Sequence, residues 1–237
     1  SGAIDLVGFN YHHQWVKDVP KNFPGKPFLF TESVSALQTR GYYRMPSDSV
    51  LVLPQRWDLP YADPTMMCSA YDNAHAPWSS THEETWEVVK HTPYCAGQFI
   101  WTGWDYIGEP TPYGYPARSS YFGIIDLAGF PKDIYFMYQS MWDSRPMIHM
   151  LPHWTHESGN IDVWLYSNCA SVELFLNGTS LGKKALAQRG TKNQYAYTVA
   201  YAAGTIVANG YDASGNLIAQ DIQYTAGTPA KLALCSG

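Results

Sequence analysis

The sequence predicts an α/β half followed by an all-β half, and three observations carry that expectation. Short apolar strands alternate with helical patterns over residues 3–145, the rhythm of a parallel sheet. Past Arg145-Pro146 the texture changes to period-two alternation broken by tight turns, which describes an antiparallel β-sandwich of immunoglobulin-like type. With 237 residues, the chain is long enough for one large domain or two ordinary ones.

The first strand runs from Ile4 to Asn10 and the second from Phe28 to Thr31, after a loop with Pro20, Pro24 and Gly25. A polar, proline-studded segment from Leu37 to about Trp78 follows. It is too long for an ordinary connection and reads as a functional or decorative loop. Ser80-Thr81-His82-Glu83-Glu84 has the form of a capping box, opening a helix over Glu84 to His91. Gln98 to Trp101 is the next expected strand, and Ile134 to Trp142 the next helix, its aromatic spacing suited to docking on a sheet. In the second half, strands are expected over Ile161–Tyr166, Ser171–Leu176, Gln194–Val199 and Gly204–Asn209. Asn177-Gly178 marks a hairpin and Asp212 to Asn216 another turn. The boundary is placed at 145/146, with a sandwich to residue 228 and the start of a further domain or linker over 229–237. Because the chain opens directly on a core strand and stops just after Pro229 to Leu234 begins another, we expect a fragment of a longer protein.

Composition narrows the function. A net charge of −5 without Lys/Arg clusters argues against nucleic acid as a partner, and no run of eighteen apolar residues offers a membrane span. Four cysteines (Cys68, Cys95, Cys169, Cys235) show neither CxxC spacing nor a dense framework, so neither a zinc site nor a disulfide scaffold is expected. His12, His13 and His75 lack metal-ligand spacing, and no cofactor is expected. Nine Trp and 18 Tyr are consistent with large cores, and also with rings stacked on sugar faces.

In a parallel α/β sheet closed as a barrel, reacting groups lie at the carboxyl ends of the strands. That rule selects Asn10 with Tyr11 and His12, then Glu32, then Trp101 with Trp104 and Asp105. Glu32 ends an apolar strand rather than lying on a solvated helix face; its bland alternative is to cap the next helix or to pair with Arg40 or Arg44. Packing is the bland role for Trp104, and loop capping for Asp105 and Glu109.

Three motifs together, Phe28-Leu-Phe-Thr-Glu-Ser33, Gln98-Phe-Ile-Trp-Thr-Gly-Trp-Asp-Tyr-Ile-Gly-Glu-Pro110 and Gly123-Ile-Ile-Asp-Leu-Ala-Gly-Phe-Pro-Lys-Asp133, resemble glycoside hydrolase family two in its β-galactosidase-like branch. The resemblance implies that residues 3–145 are the last three strand–helix units of a catalytic (β/α)8 barrel and that the immunoglobulin-like domain of the family follows. It implies a retaining hydrolysis of terminal β-galactosides or related β-glycosides, with a bacterial periplasmic or secreted location. Glu32 then matches the nucleophile, Tyr11 the tyrosine that orients it, and Trp101 the floor of the sugar subsite. Asn10, Trp104, Asp105 and Glu109 are candidates to contact sugar hydroxyls. The family's acid/base glutamate follows an asparagine, and no Asn-Glu pair occurs in this chain. A retaining pair needs carboxyls about 5–5.5 Å apart, so this chain alone is expected to be inactive. Three of eight barrel units also leave open strand edges, through which the chain is expected to self-associate. A non-catalytic carbohydrate-binding or scaffold module is the alternative.

Overall fold

The computed structural model describes residues 3–231. Two compact units divide it: residues up to Ser144 together with Gly190–Gln194, and Arg145–Arg189 with the chain from Tyr195 onward.

In the first unit, strand β1 (Val7–Asn10) leads through a 3-10 turn (His13–Asp18) and a one-turn helix α1 (Val19–Asn22) to β2 (Phe28–Glu32). The two strands pair in parallel, Val7 with Phe28 and Phe9 with Phe30. An irregularity between Phe9 and Asn10 sets Asn10 opposite Glu32, so both side chains arrive at the carboxyl end of the sheet. Phe28 and Phe30 are fully buried and join Val7, Val16 and Val19 in one apolar cluster. Each such side chain contributes roughly 1.5–3 kcal/mol by leaving water.

The segment after β2 is an organised layer rather than an open loop. Strands β3 (Leu51–Val52) and β4 (Ala74–His75) pair in parallel, and Leu37, Leu53, Cys68, Ala74 and Ala76 pack with Tyr113 and Phe122. Backbone bonds from Leu37 to Ala74 and from Ala76 to Ser35 return it to the chain leaving β2.

Helix α2 (His82–Lys90) opens on the expected capping box: Thr81 Oγ1 accepts from Glu84 N–H, and the Glu84 carboxylate accepts from Thr81 N–H. Strand β5 (Cys95–Gln98) completes the sheet order β1-β2-β5. It lies three residues earlier than the expected Gln98–Trp101. Gly97, at φ 145°, sits within it, and regular pairing stops at Phe30–Gln98. Trp101 therefore stands in the loop beyond β5. Helix α3 (Asp133–Trp142) follows that loop.

The second unit is entirely β. Strands β6 (Ile148–Leu151), β7 (Asn160–Ser167) and, later, β10 (Tyr195–Ala200) form one antiparallel sheet in the order β10-β7-β6. Strands β8 (Ser171–Leu176), β9 (Thr179–Ala185), β11 (Thr205–Tyr211) and β12 (Leu217–Tyr224) form the other, in the order β12-β11-β8-β9. Inward positions of both sheets, among them Val163, Leu165, Tyr195, Val172, Leu174 and Ile206, share one apolar cluster with Trp154. Asn177 and Gly178, at φ 49° and 82°, make the β8–β9 hairpin, a turn that requires positive φ at both central residues. Beyond Lys231 the expected further strand lies outside the described residues.

Candidate active site

The carboxyl end of the β1–β2 ladder assembles the first group. The chain turns sharply after β1, with Tyr11 at φ 56° and His12 at φ 50°, and Tyr11 N–H donates to the Glu32 carbonyl at 2.7 Å. This turn swings the phenol back over β2, and Tyr11 OH donates to Glu32 Oε2 at 2.6 Å. Burial, and then the bond to Glu32, push the Tyr11 phenol well above its ordinary value, so it remains a donor across the neutral range. Glu32 itself is half-buried, with a face left to solvent. Beside it, Thr31 Oγ1 donates to Asn10 Oδ1 at 2.5 Å, which holds the Asn10 amide at the same edge.

Trp101, Tyr106 and Glu109 form the second group, in the loop beyond β5. The Trp101 ring meets the Tyr106 ring edge-on at 5.9 Å between centroids. Tyr106 OH in turn donates to Glu109 Oε2. The Trp101–Thr102 peptide is cis. Tyr106 is close enough to Tyr11 to contribute to raising its phenol, which links the two groups electrostatically.

The other two residues singled out in the sequence go elsewhere. Trp104 is 63% exposed. The Asp105 carboxylate turns inward: Oδ2 meets Lys132 Nζ at 2.7 Å, with the two side chains 9% and 1% exposed. Its Oδ1 accepts from Gly123 N–H at 2.8 Å and from Ser120 Oγ at 3.3 Å. Lys132 Nζ also donates to the carbonyls of Gln38 and Tyr121. Burial raises the carboxyl and lowers the ammonium, and their mutual attraction opposes both shifts. Gly123 permits this closure, since a Cβ there would lie 2.1 Å from Asp105 N.

Three further participants escaped the reading of the sequence: Thr31, Tyr106 and Lys132. Thr31 was adjacent to a named residue, and Lys132 lay inside a quoted motif. Nothing in the local sequence pairs Lys132 with a carboxylate 27 positions away. Among the described residues no group of three or more His, Cys, Asp or Glu side chains could hold a metal ion.

Known proteins resemble this chain over nearly its whole length. A β-galactosidase of Bacteroides ovatus is 51% identical over 237 residues, covering 99% of this chain and 27% of that protein. The crystal structure of a β-glycosidase from Bacteroides vulgatus superposes with a TM-score of 0.80 at 33% identity, over 98% of this chain and 32% of that one.

The chain is homologous to family-two glycoside hydrolases.

A β-glucuronidase from glycoside hydrolase family 2 shares the fold at a TM-score of 0.66 and 20% identity, over 97% of this chain and 22% of that one. Residues 158–219 match a family described as a domain of unknown function (DUF4982). The chain thus spans about a quarter of the length of its Bacteroides ovatus relative. Residues 158–219 fall in the all-β unit except for Gly190–Gln194, whereas the Tyr11–Glu32 pair and the Trp101 group lie wholly in the first.

Proposed function

We propose that this chain carries the nucleophile side of the active site of a retaining β-glycosidase that removes terminal β-galactosyl groups. The first unit is then the last three strand–helix units of a (β/α)8 barrel, and the second an immunoglobulin-like sandwich. The Tyr11–Glu32 pair carries the reading: a half-buried carboxylate at a strand mouth, with one half-buried phenol as donor. That donor keeps one carboxylate oxygen occupied and leaves the other oxygen free for attack.

In the reaction, a Glu32 oxygen bonds to the anomeric carbon while the bond to the leaving oxygen breaks. The leaving oxygen takes a proton from a second carboxylic acid. Water, deprotonated by that same group, then displaces Glu32 and regenerates it with the anomeric configuration retained. Trp101 supplies an apolar wall for the sugar, and Asn10 a hydrogen-bonding amide beside the nucleophile.

We assign the acid/base to a residue outside this chain. Within this chain Asp105 is paired with Lys132, Glu109 accepts from Tyr106, and Glu83 is buried at the start of α2. The 237-residue chain alone is therefore expected not to turn over substrate. The choice of β-galactoside over β-glucuronide rests on the name of the 51%-identical relative.

Kinetics of the full-length enzyme with aryl β-galactosides and β-glucuronides test this reading. Glu32→Gln should lower kcat on the order of 10⁴-fold, as loss of a nucleophile does. Retention of more than a tenth of the activity would remove Glu32 from the role, and a preference for the glucuronide would correct the substrate.

A further inference from the structure

Beyond Glu109, the loop that carries Trp101 and Tyr106 runs out to a tip at Tyr115, and the sequence stiffens that excursion. Pro110, Pro112 and Pro116 each fix a backbone φ, so the segment has little freedom to lose when it orders. Tyr113 anchors it. Its ring is 7% exposed and meets those of Tyr61 and Tyr121 at 5.3 and 5.5 Å, and its hydroxyl donates to the Met67 carbonyl at 2.6 Å. Ala117 N–H donates to the Gly114 carbonyl at 3.0 Å, which makes Tyr115 and Pro116 the central pair of a tight turn. On the return, Ile107 and Ser119 bridge antiparallel, and Gly108 N–H donates to the Arg118 carbonyl at 2.7 Å. Arg118 therefore comes back beside Gly108, the residue before Glu109.

At the tip of this braced loop, Tyr115 is 84% exposed. The Arg118 guanidinium lies over its ring, 5.6 Å from the centroid. A cation over one face of a ring is attracted to it and leaves the other face open. A tyrosine held this way offers a rigid, amphipathic contact at low conformational-entropy cost.

We infer that Tyr115, braced by Arg118, is a stacking platform for the sugar on the leaving-group side of the cleaved bond. The inference deepens the reading of this site as that of a β-glycosidase and rests on it. An enzyme that removes terminal sugars encloses the sugar it cleaves and lets the rest of the glycan project outward. Trp101, half-buried, stands at the enclosed end of the loop, and Tyr115 stands at its exposed tip. A pyranose presents a face of C–H groups, whose positive edges match the negative face of a phenol ring. The ring face that Arg118 leaves open is suited to that sugar, and the sugar needs no charge to bind there.

The test compares two substrates of the full-length enzyme: lactose, whose leaving group is a sugar, and β-galactosyl fluoride, whose leaving group is too small to reach the platform. In Tyr115→Ala, the ratio of kcat/KM for lactose to that for the fluoride should fall about tenfold, the order of one lost aromatic stacking contact. The loss should appear in KM for lactose rather than in kcat, as for an interaction made equally before and during the reaction. Tyr115→Phe keeps the ring and should keep the ratio. Arg118→Met removes the brace alone and should lower the ratio by less than Tyr115→Ala does.

An unchanged ratio in Tyr115→Ala overturns the inference. So does an equal loss on both substrates, which would give Tyr115 a structural part in the pocket. A Tyr115→Ala enzyme that fails to fold also overturns it, since the ring would then be covered by the rest of the protein. The parent reading is judged separately: Glu32→Gln that still hydrolyses the fluoride sinks both, whereas an inactive Glu32→Gln beside an unchanged Tyr115→Ala ratio sinks only the platform.

Discussion

Two carboxylates lie in the first unit under opposite regimes, and on the reading proposed above the contrast separates a group available for chemistry from one locked into structure. Glu32 is half open and receives one side-chain hydrogen, from Tyr11. Asp105 is 9% exposed and receives hydrogens from Lys132, Gly123 and Ser120. Every lone pair of Asp105 that faces the protein is spoken for, and its charge is cancelled by a lysine that is itself buried. Glu32 keeps an oxygen that no donor among the described residues occupies. Position at a strand end is therefore not enough; what matters is how many donors the carboxylate already holds.

The variants that break this comparison differ in which property they damage. Glu32→Gln is expected to abolish turnover while changing the unfolding free energy of the 237-residue chain by less than about 0.5 kcal/mol, as half-exposed substitutions do. Asp105→Asn should do the reverse. It strands the Lys132 ammonium in the interior, and denaturant unfolding of the same chain should show a loss of about 3–5 kcal/mol. Equal stability losses for the two variants would erase the distinction.

Tyr11→Phe sharpens the Glu32 side. Removing one preorganised donor should lower kcat on the order of 10²-fold with the fold intact. The phenol also has a pH signature. Its folded value lies above the ordinary 10.0, so the native state holds that proton more tightly than the unfolded chain does. The stability it contributes is complete below pH 10.0 and is lost as the pH rises beyond it. Wild type should therefore lose stability relative to Tyr11→Phe above pH 10.0, and a constant difference across that window would contradict the Tyr11–Glu32 bond.

Local rules made much of this fold readable. The Thr81–Glu84 capping box is written within four residues, and the Asn177-Gly178 hairpin within two. Alternation exposed β8, β10 and β11, whose buried positions recur at every second residue, whereas β7 is buried continuously from Val163 to Ser167. Strand β9 escaped because most of its residues are exposed and carry no alternation to read. Strands β3 and β4 escaped because two residues show no period. In the site, Glu32 and Tyr11 were legible as strand ends. The burial of Asp105 against Lys132 was not, because it is a contact across 27 positions made by folding alone.

The most direct test of the central claim is covalent trapping. A 2-deoxy-2-fluoro-β-galactoside with a good leaving group should form a glycosyl-enzyme that hydrolyses slowly enough for peptide mass spectrometry. In the full-length enzyme, the label is expected on the peptide containing Phe28 to Ser33, with fragmentation placing it on Glu32. Label on Glu109, on Asp105 or on a carboxylate outside this chain would contradict the assignment.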